Sequence, residues 1–226
     1  GGLRKKLPVT FWTMTSAVFA ISGLFPFAGF FSKDAILVAT FNAPHGKILW
    51  AVGLLTAGLT SFYMFRLWYM TFFGSPRYQE PAADHAGHGA HGVHESPWIM
   101  LLPLVILGIL SLIGGWIGWP EALGGNNWIA HFLDPVFSGA GSAQLAVPTA
   151  ADFRLERILS GVSMLVALLG WFVADRMYRR QPQLADAAKR KTQPLYTLIW
   201  NKYWVDEFYR NAVVAPVLAL SSNVLG

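Results

Sequence analysis

The sequence lacks several features that would indicate a soluble enzyme. It contains no cysteine, which excludes a disulfide framework, a thiolate metal site and a cysteine nucleophile. Charged residues make up only 13% of the chain, compared with about 25% in an ordinary soluble domain. The GxSxG, Walker A, HExxH and dinucleotide-binding patterns are also missing, which argues against a self-contained enzyme site.

Apolar residues dominate what is there. They form 54% of the chain, and the mean hydropathy is +0.42, which together indicate a membrane protein. The formal net charge of +5 could suggest a nucleic-acid partner, but the basic residues lie beside apolar runs rather than in one soluble patch. We therefore expect these charges to reflect the topology of the chain in a lipid bilayer, and we expect no nucleic-acid partner.

Four apolar runs are long enough to cross a bilayer, whose core needs roughly 20 helical residues. They predict an all-α polytopic membrane protein with about four transmembrane helices. The third run carries Trp98, Trp116 and Trp119 near its ends, where an aromatic belt belongs. The predicted spans cover residues 1–42, 48–73, 97–120 and 153–178.

The connectors between the runs differ in charge. Ten Lys and Arg side chains fall on one side of the predicted membrane and three on the other. The side with ten is predicted to face the cytoplasm. Residues 74–96 then form a cytoplasmic loop rich in His and Gly, and residues 179–193 a basic cytoplasmic linker. The opposite connector, 121–152, is periplasmic and is expected to include a short helix at the surface.

The last segment, residues 194–226, interleaves aromatic and charged side chains. Lys202 with Asp206, and Asp206 with Arg210, are spaced as i,i+4 pairs on a helix. This pattern predicts an amphipathic helix along the membrane surface or on neighbouring helices. A linker into a fifth span stays open, since residues 212–226 are uncharged. The chain ends within this apolar run and begins without Met, so we interpret it as an internal segment of a longer protein.

The first run must contain a break. Its 35 residues from Leu7 to Phe41 would form a straight helix of about 52 Å, longer than the bilayer core. Gly23, Pro26 and Gly29 mark the break, because proline removes a helical hydrogen bond and glycine permits unusual dihedral angles. The sequence thus predicts two half-helices that cross the membrane together.

Adjacent charges follow this break. We expect Ser32 to cap the second half-helix, with Lys33 and Asp34 in its first turn. Asp34 suits a helix N-terminus, whereas burial and the helix dipole both disfavour the charged form of Lys33. Lys33 is therefore predicted to exchange protons, with Asp34 as a candidate partner. The alternative is that Lys33 extends along the apolar surface to reach the water layer.

Other polar groups give weaker signals. The histidines spaced by three, His85, His88, His91 and His94, lie among glycines without cysteine, so we favour a solvated loop over a metal site. Arg66 is interpreted as structural, and Asp175 beside Arg176 as an interfacial pair. Glu156 with Arg157 at a helix start is interpreted as capping and anchoring.

Several segments carry a resemblance to a known family. They are "GGLRKKLPVTFW", "FPFAGFFSKDAIL", "TSFYMFRLWYMTFFG", "HESPWIMLLPLVIL" and "NKYWVDEFYRNAVVAPVLAL". They resemble subunit L of the proton-translocating NADH-quinone oxidoreductases (complex I) and its mitochondrial counterpart, NADH dehydrogenase chain 5. The similarity covers all four predicted spans, and residues 120–152 contribute little to it.

The resemblance implies a fold and a site. The chain would be the C-terminal part of an antiporter-like subunit with two inverted repeats, each with a broken helix. Lys33 matches the lysine on the broken helix of the second repeat, in the half-channel to the periplasm, and Pro26 matches the helix-breaking proline. Residues from about 194 match the start of the lateral helix that runs beside the neighbouring antiporter-like subunits.

The resemblance also implies cofactors, partners and location. This chain would bind no cofactor, because NADH, FMN, iron–sulfur clusters and quinone act in other subunits. Its partners would be the other membrane-arm subunits, in the bacterial inner membrane or, in a eukaryote, the mitochondrial inner membrane. Two alternatives stay open: the large subunit of a multisubunit Na+/H+ antiporter, and a membrane scaffold without an ion path.

Overall fold

The computed structural model of the protein describes residues 1–76, 93–137 and 150–224, and no β-strand occurs within these ranges. This confirms the predicted all-α class. Two compact units are present, Gly1–Arg180 and Gln181–Gly226. The helices in chain order are α1 (Pro8–Ser22), α2 (Ala28–Asn42), α3 (Gly46–Phe72), α4 (Trp98–Ile113), α5 (Trp128–Phe137), α6 (Ala150–Asp175), α7 (Gln183–Lys191), α8 (Gln193–Trp200), α9 (Val205–Tyr209) and α10 (Ala215–Val224).

An aromatic core holds α1, α3 and α6 together in the first unit. Phe65 of α3 stacks on Trp171 of α6, with ring centroids 5.2 Å apart. Phe11 of α1 stacks on Trp68 of α3 at 5.8 Å. Because aromatic pairs contribute about 0.5–1.5 kcal/mol beyond the area that they bury, these rings fix the relative positions of the three helices. The buried members of the core are Phe11, Val18, Leu24, Met64, Phe65, Trp68, Tyr69, Phe72, Ala167 and Ala174.

The start of α1 is tied to the start of α4. Pro8 occupies the first turn of α1, where its missing N–H costs nothing. The carboxylate of Glu95, just before α4, accepts hydrogen bonds from the backbone N–H groups of Val9 at 2.8 Å and Thr10 at 3.4 Å. These N–H groups have no partner within the helix, and the helix dipole favours an anion there. Glu95 therefore caps α1 from a distant part of the chain.

Three helices within residues 1–76, 93–137 and 150–224 are long and apolar enough to cross a membrane. They are Gly46–Phe72, Trp98–Gly118 and Asp152–Arg180. They correspond to the second, third and fourth predicted spans. Many of their large apolar side chains are exposed on the isolated chain, as expected for surfaces that face lipid or neighbouring helices.

The predicted count of four spans is not confirmed. The first predicted span consists of α1 and α2, each of 15 residues. A helix of that length extends about 22 Å, whereas the bilayer core is about 30 Å thick. Neither α1 nor α2 is therefore long enough to span the membrane alone, which agrees with the prediction that two half-helices cross it together.

The connector after α4 contains a short amphipathic helix. A 3-10 turn, Glu121–Leu123, packs against α6 and is followed by α5. Trp128, Phe132 and Val136 are exposed along one face of α5 at i, i+4 and i+8, as in a helix at a membrane surface. Most of the His-rich loop predicted over 74–96 lies outside the described residues, as do positions 138–149 of the connector.

The second unit departs from the predicted single helix. The linker predicted over 179–193 contains α7, and the segment predicted as one amphipathic helix is divided into α8, α9 and α10. Three consecutive residues, Lys202, Tyr203 and Trp204, have φ values of 51°, 59° and 54°, which interrupt the helical hydrogen-bond pattern.

The predicted i,i+4 pair of Lys202 and Asp206 is present in this unit, with Nζ and Oδ2 2.8 Å apart. The hydrogen bond to this carboxylate raises the pKa of Lys202.

Candidate functional site

The break between α1 and α2 spans residues 23–27. Gly23 ends α1 with a φ of 76°, in the left-handed region that favours glycine. Its N–H group donates to the carbonyl of Ala20 at 2.9 Å. Pro26 lies in the break, and its carbonyl accepts a hydrogen bond from Trp116 Nε1 at 3.1 Å. The break is thus a defined turn, with its backbone partly satisfied by a residue that follows α4.

Lys33 reaches back from α2 to the end of α1. Its Nζ donates to the carbonyl of Ile21 at 3.0 Å, and its side chain is half-buried. That carbonyl belongs to the last turn of α1, where carbonyls lack partners and the dipole favours a cation. Gly23 leaves the space for this side chain, because a Cβ there would lie 3.1 Å from Lys33 Cδ.

Two details of the predicted site are wrong. Ser32 does not cap α2, because the extended backbone of Phe27 lets the helix begin at Ala28. Ser32 is instead the fifth residue of α2, and its hydroxyl donates to the carbonyls of Ala28 and Gly29, both at 3.4 Å. Lys33 and Asp34 consequently lie in the second turn, beyond the N–H groups of the helix start.

Gly29 has a different role from the one predicted. It lies inside the first turn of α2 rather than in the break. A Cβ at this position would clash with the carbonyl oxygen of Ala20. Only a glycine therefore allows α2 to approach α1 as closely as it does, which brings Lys33 within reach of Ile21.

Asp34 turns away from Lys33 toward α6. Its side chain is 4% exposed, and its Oδ1 accepts a hydrogen bond from the hydroxyl of Ser163. Its Oδ2 is buried and has no hydrogen-bond partner in the described part of the chain. The charges of Lys33 and Asp34 interact electrostatically, but each side chain makes its hydrogen bond to a different helix.

A cavity of about 480 Å³ lies beside Lys33, between the end of α1, α2 and α3. Most of its walls are apolar, but the hydroxyl-bearing residues Ser32, Thr56 and Thr60 also line it. An amine at the edge of such a cavity can pass a proton to water or to a carboxylate. The site therefore places an amine at the edge of a mostly apolar cavity and a buried carboxyl group on the next residue.

Most of the histidine run noted in the sequence cannot be placed against a site. His85, His88 and His91 lie outside the described residues. In the part of the chain that the structure describes, no three side chains of His, Asp or Glu come together as metal ligands would.

The sequence-based interpretation missed two contributors to the site. Ser163 is the hydrogen-bond donor to Asp34, and Glu156 interacts electrostatically with Asp34 from the same helix. A signal for them exists: Glu156, Ser160 and Ser163 recur at i, i+4 and i+7, which aligns polar groups along one face of an apolar helix.

Comparison with known proteins agrees with this geometry. Residues 1–60, which include the break and Lys33, match the family described as "NADH:quinone oxidoreductase/Mrp antiporter, TM". The whole chain aligns with NADH-quinone oxidoreductase subunit L of Mycobacterium tuberculosis at 40% identity, covering 32% of that protein. It also aligns over its full length with NAD(P)H-quinone oxidoreductase chain 5 of Picosynechococcus at 37% identity, covering 34% of that protein.

Over its full length the chain is similar to these subunit L and chain 5 proteins. A chloroplast relative, NAD(P)H-quinone oxidoreductase subunit 5 of Mesostigma viride, is 34% identical over the whole chain. The chain spans about a third of the length of these curated relatives. The resemblance noted from five short segments thus extends through the entire subunit L-like chain, including its second unit.

Proposed function

We propose that this chain is part of a proton-translocating membrane-arm subunit of an NADH-quinone oxidoreductase. The observation that carries the proposal is the Lys33 amine, held at a break between two helices and next to the buried Asp34 carboxyl. Ionisable groups inside apolar helix bundles are costly and mark ion or proton paths. Broken helices provide such sites in transporters. The names of the relatives support the same assignment.

The chemistry is the movement of a proton between fixed groups. The Lys33 ammonium releases a proton to water, which passes a proton on to the carboxylate of Asp34, and the ammonium becomes a neutral amine. The amine keeps N–H groups for the carbonyl of Ile21, so the side chain stays in place while its charge changes. The proton then leaves from Asp34 on the side of α6, toward which this carboxyl points.

Redox chemistry is assigned to other subunits in this proposal. NADH, FMN, iron–sulfur clusters and quinone act elsewhere in the complex, and this chain contributes only the transport step. Its partners are other membrane-arm subunits, with the adjacent antiporter-like subunits along residues 194–226. Its location is the bacterial inner membrane, or the mitochondrial inner membrane in a eukaryote.

A Na+/H+ antiporter is the second candidate, because the matching family description includes both kinds of protein. The two are separated by purifying the full-length chain with its natural partners. An oxidoreductase subunit co-purifies with NADH-dependent quinone reduction, and its vesicles acidify without sodium. Sodium-dependent proton exchange in the absence of NADH would instead identify an antiporter.

The proton site is tested by Lys33→Ala in the full-length subunit of the assembled complex, with Lys47→Ala as the matched control. Lys47 lies at the exposed start of α3, away from the site. We expect proton translocation per NADH oxidised to fall by about tenfold or more for Lys33→Ala, and to stay normal for the control. Full translocation in an assembled Lys33→Ala complex would leave only the scaffold alternative for this residue.

A further inference from the structure

A polar face on α6 is not used by the chemistry described so far. Glu156, Ser160 and Ser163 lie at i, i+4 and i+7, so their side chains share one side of the helix. Ser163 is 5% exposed, and Glu156 is partly buried. Polar groups in register along an otherwise apolar membrane helix need a compensating partner or a function.

The inner end of this face meets the proposed proton site. The hydroxyl of Ser163 donates to Asp34 Oδ1, and it also lies 3.3 Å from the carbonyl of Ser160. Asp34 and Glu156 are near enough for their charges to interact. Ser163 and Glu156 are about 10 Å apart along the helix axis, so Ser160 and water are needed to bridge the interval.

The outer end of this face meets the surface. The 3-10 turn Glu121–Leu123 packs against α6, and the charge of Glu121 interacts with that of Glu156. Glu121 Oε1 lies 3.9 Å from His131 Nε2 of α5. Their side chains are 49% and 65% exposed, so this pair lies at the surface of the chain. Titratable groups thus continue from the buried carboxyl to the exterior on the α5 side.

A capping role does not account for Glu156. It is the seventh residue of α6, which begins at Ala150, and lies beyond the first turn where a carboxylate caps N–H groups. Its neighbour Arg157 donates through Nε to the carbonyl of Phe153 at 3.2 Å. The interpretation of Glu156 and Arg157 as a pair that starts the helix therefore has no support in the geometry.

We propose that Glu156 is a proton carrier that links Asp34 to the exposed pair of Glu121 and His131. This inference rests on the proposed function. In each step one O–H or N–H bond breaks and another forms. Protonated Asp34 gives up its proton through the Ser163 and Ser160 hydroxyls and water, each hydroxyl receiving one proton as it donates another. The Glu156 carboxylate accepts the proton and passes it to Glu121 or His131, which releases it to water.

The decisive variants are Glu156→Gln and Glu156→Asp in the full-length subunit of the assembled oxidoreductase, reconstituted in vesicles. Glutamine keeps the shape but cannot carry a proton, whereas aspartate keeps the carboxyl group. We expect proton translocation per NADH oxidised to fall by about tenfold for Glu156→Gln and to be largely restored in Glu156→Asp. Glu95→Gln is the matched control, because Glu95 caps α1 outside this path, and it should translocate normally.

The outcomes separate this inference from the proposed function. Normal translocation by Glu156→Gln together with loss in Lys33→Ala overturns the role of Glu156 and leaves the proton site intact. Equal loss in the Gln and Asp variants shows a role of size or packing and also overturns it. Normal translocation in both Glu156→Gln and Lys33→Ala overturns the proposed function itself.

A second variant keeps the inference falsifiable if Glu156→Gln does not assemble. Glu121→Gln changes a half-exposed side chain, so folding is not at risk in the same way. We expect slower proton release, read with a pH-sensitive dye on the outer side of the vesicles. Unchanged release in an assembled complex that combines Glu121→Gln with His131→Gln, and so lacks both acceptors of the exposed pair, overturns the path to the surface.

Discussion

Two buried carboxyl groups lie at α6, and their surroundings differ. Asp34 of α2 contacts this helix, and Asp175 is its last residue. Asp34 is 4% exposed and Asp175 is 7% exposed, so burial does not distinguish them. Asp175, in the last turn of α6, binds Arg179 Nη1 at 3.1 Å and Arg180 Nε at 2.6 Å. Asp34 receives a hydrogen bond from the hydroxyl of Ser163, and the neighbouring ammonium of Lys33 makes its own hydrogen bond to a backbone carbonyl.

The comparison shows that the two carboxyl groups differ in the compensation of their charge rather than in their burial. Two arginines compensate the charge of Asp175, because guanidinium groups stay protonated at any physiological pH. A hydroxyl donor and one unpartnered oxygen leave the charged form of Asp34 poorly compensated. Asp34 is consequently the carboxyl group that we propose as a proton site.

The largest effect is expected from Asp34→Asn, and the absence of that effect would break the comparison. The amide can still accept the hydrogen bond of Ser163, but it cannot carry a proton. We expect proton translocation per NADH oxidised to fall by roughly 100-fold, the lower range for a positioned proton-transfer group. The measurement is dye quenching in reconstituted vesicles, with NADH oxidation followed in the same sample. Wild-type stoichiometry in this variant would contradict the distinction between the two carboxyl groups.

Gly29→Ala is expected to have an intermediate effect. It sharpens the comparison because it disturbs the packing of α1 and α2 near Asp34 and leaves the surroundings of Asp175 unchanged. The added methyl would clash with the Ala20 carbonyl, so α1 and α2 must separate at a cost of about 1–3 kcal/mol. Lys33 then loses its hydrogen bond to the Ile21 carbonyl. We expect both proton translocation and the melting temperature in detergent to decrease.

Gly161→Ala is the matched control for this change. A Cβ at Gly161 meets nothing within 4 Å, and alanine in a helix is about 0.5–1 kcal/mol more favourable than glycine. We expect a slightly raised melting temperature and unchanged translocation. Equal behaviour of the two alanine variants would show that the close approach of α1 and α2 is not needed.

The smallest effect is expected from Asp175→Asn. Arg179 and Arg180 lose their partner, but their side chains are 56% and 61% exposed, so solvent screens the loss. We expect the melting temperature to decrease by a few degrees at most, less at high salt, with translocation unchanged. Loss of translocation at normal stability would make Asp175 a proton site and erase the contrast with Asp34.

Local sequence signals predicted much of the fold. Helical class follows from the apolar runs, and the discontinuity between α1 and α2 was predictable from Gly23 and Pro26, since both residues disfavour a continuous helix. The start of α2 was predicted about one turn too late, because Phe27 adopts an extended conformation directly after the proline. Ser32 was consequently assigned a capping role that its position in the helix excludes.

The rest of the site depended on contacts between distant residues. Ser163 reaches Asp34 across 129 positions of the sequence, and nothing near Asp34 indicates that α6 packs there. Glu156 was predicted to cap and anchor a helix start together with Arg157, whereas it lies beyond the first turn of α6. Its spacing from Ser160 and Ser163 places it on their face of the helix. Periodicity along α6 identifies the polar face, but only the packing of the helices shows what that face meets.

The hydrogen bond between Lys33 and the Ile21 carbonyl couples the charge of the amine to the position of the end of α1. In the proposed function, the amine that holds the mobile proton also binds a carbonyl in the last turn of α1, so discharging it weakens the anchor of that helix end. By thermodynamic reciprocity, any force that shifts the end of α1 must alter how tightly the amine holds its proton. In the proposed function, a displacement that starts in a distant part of a larger assembly is therefore converted into proton release at this break, without any ligand binding there.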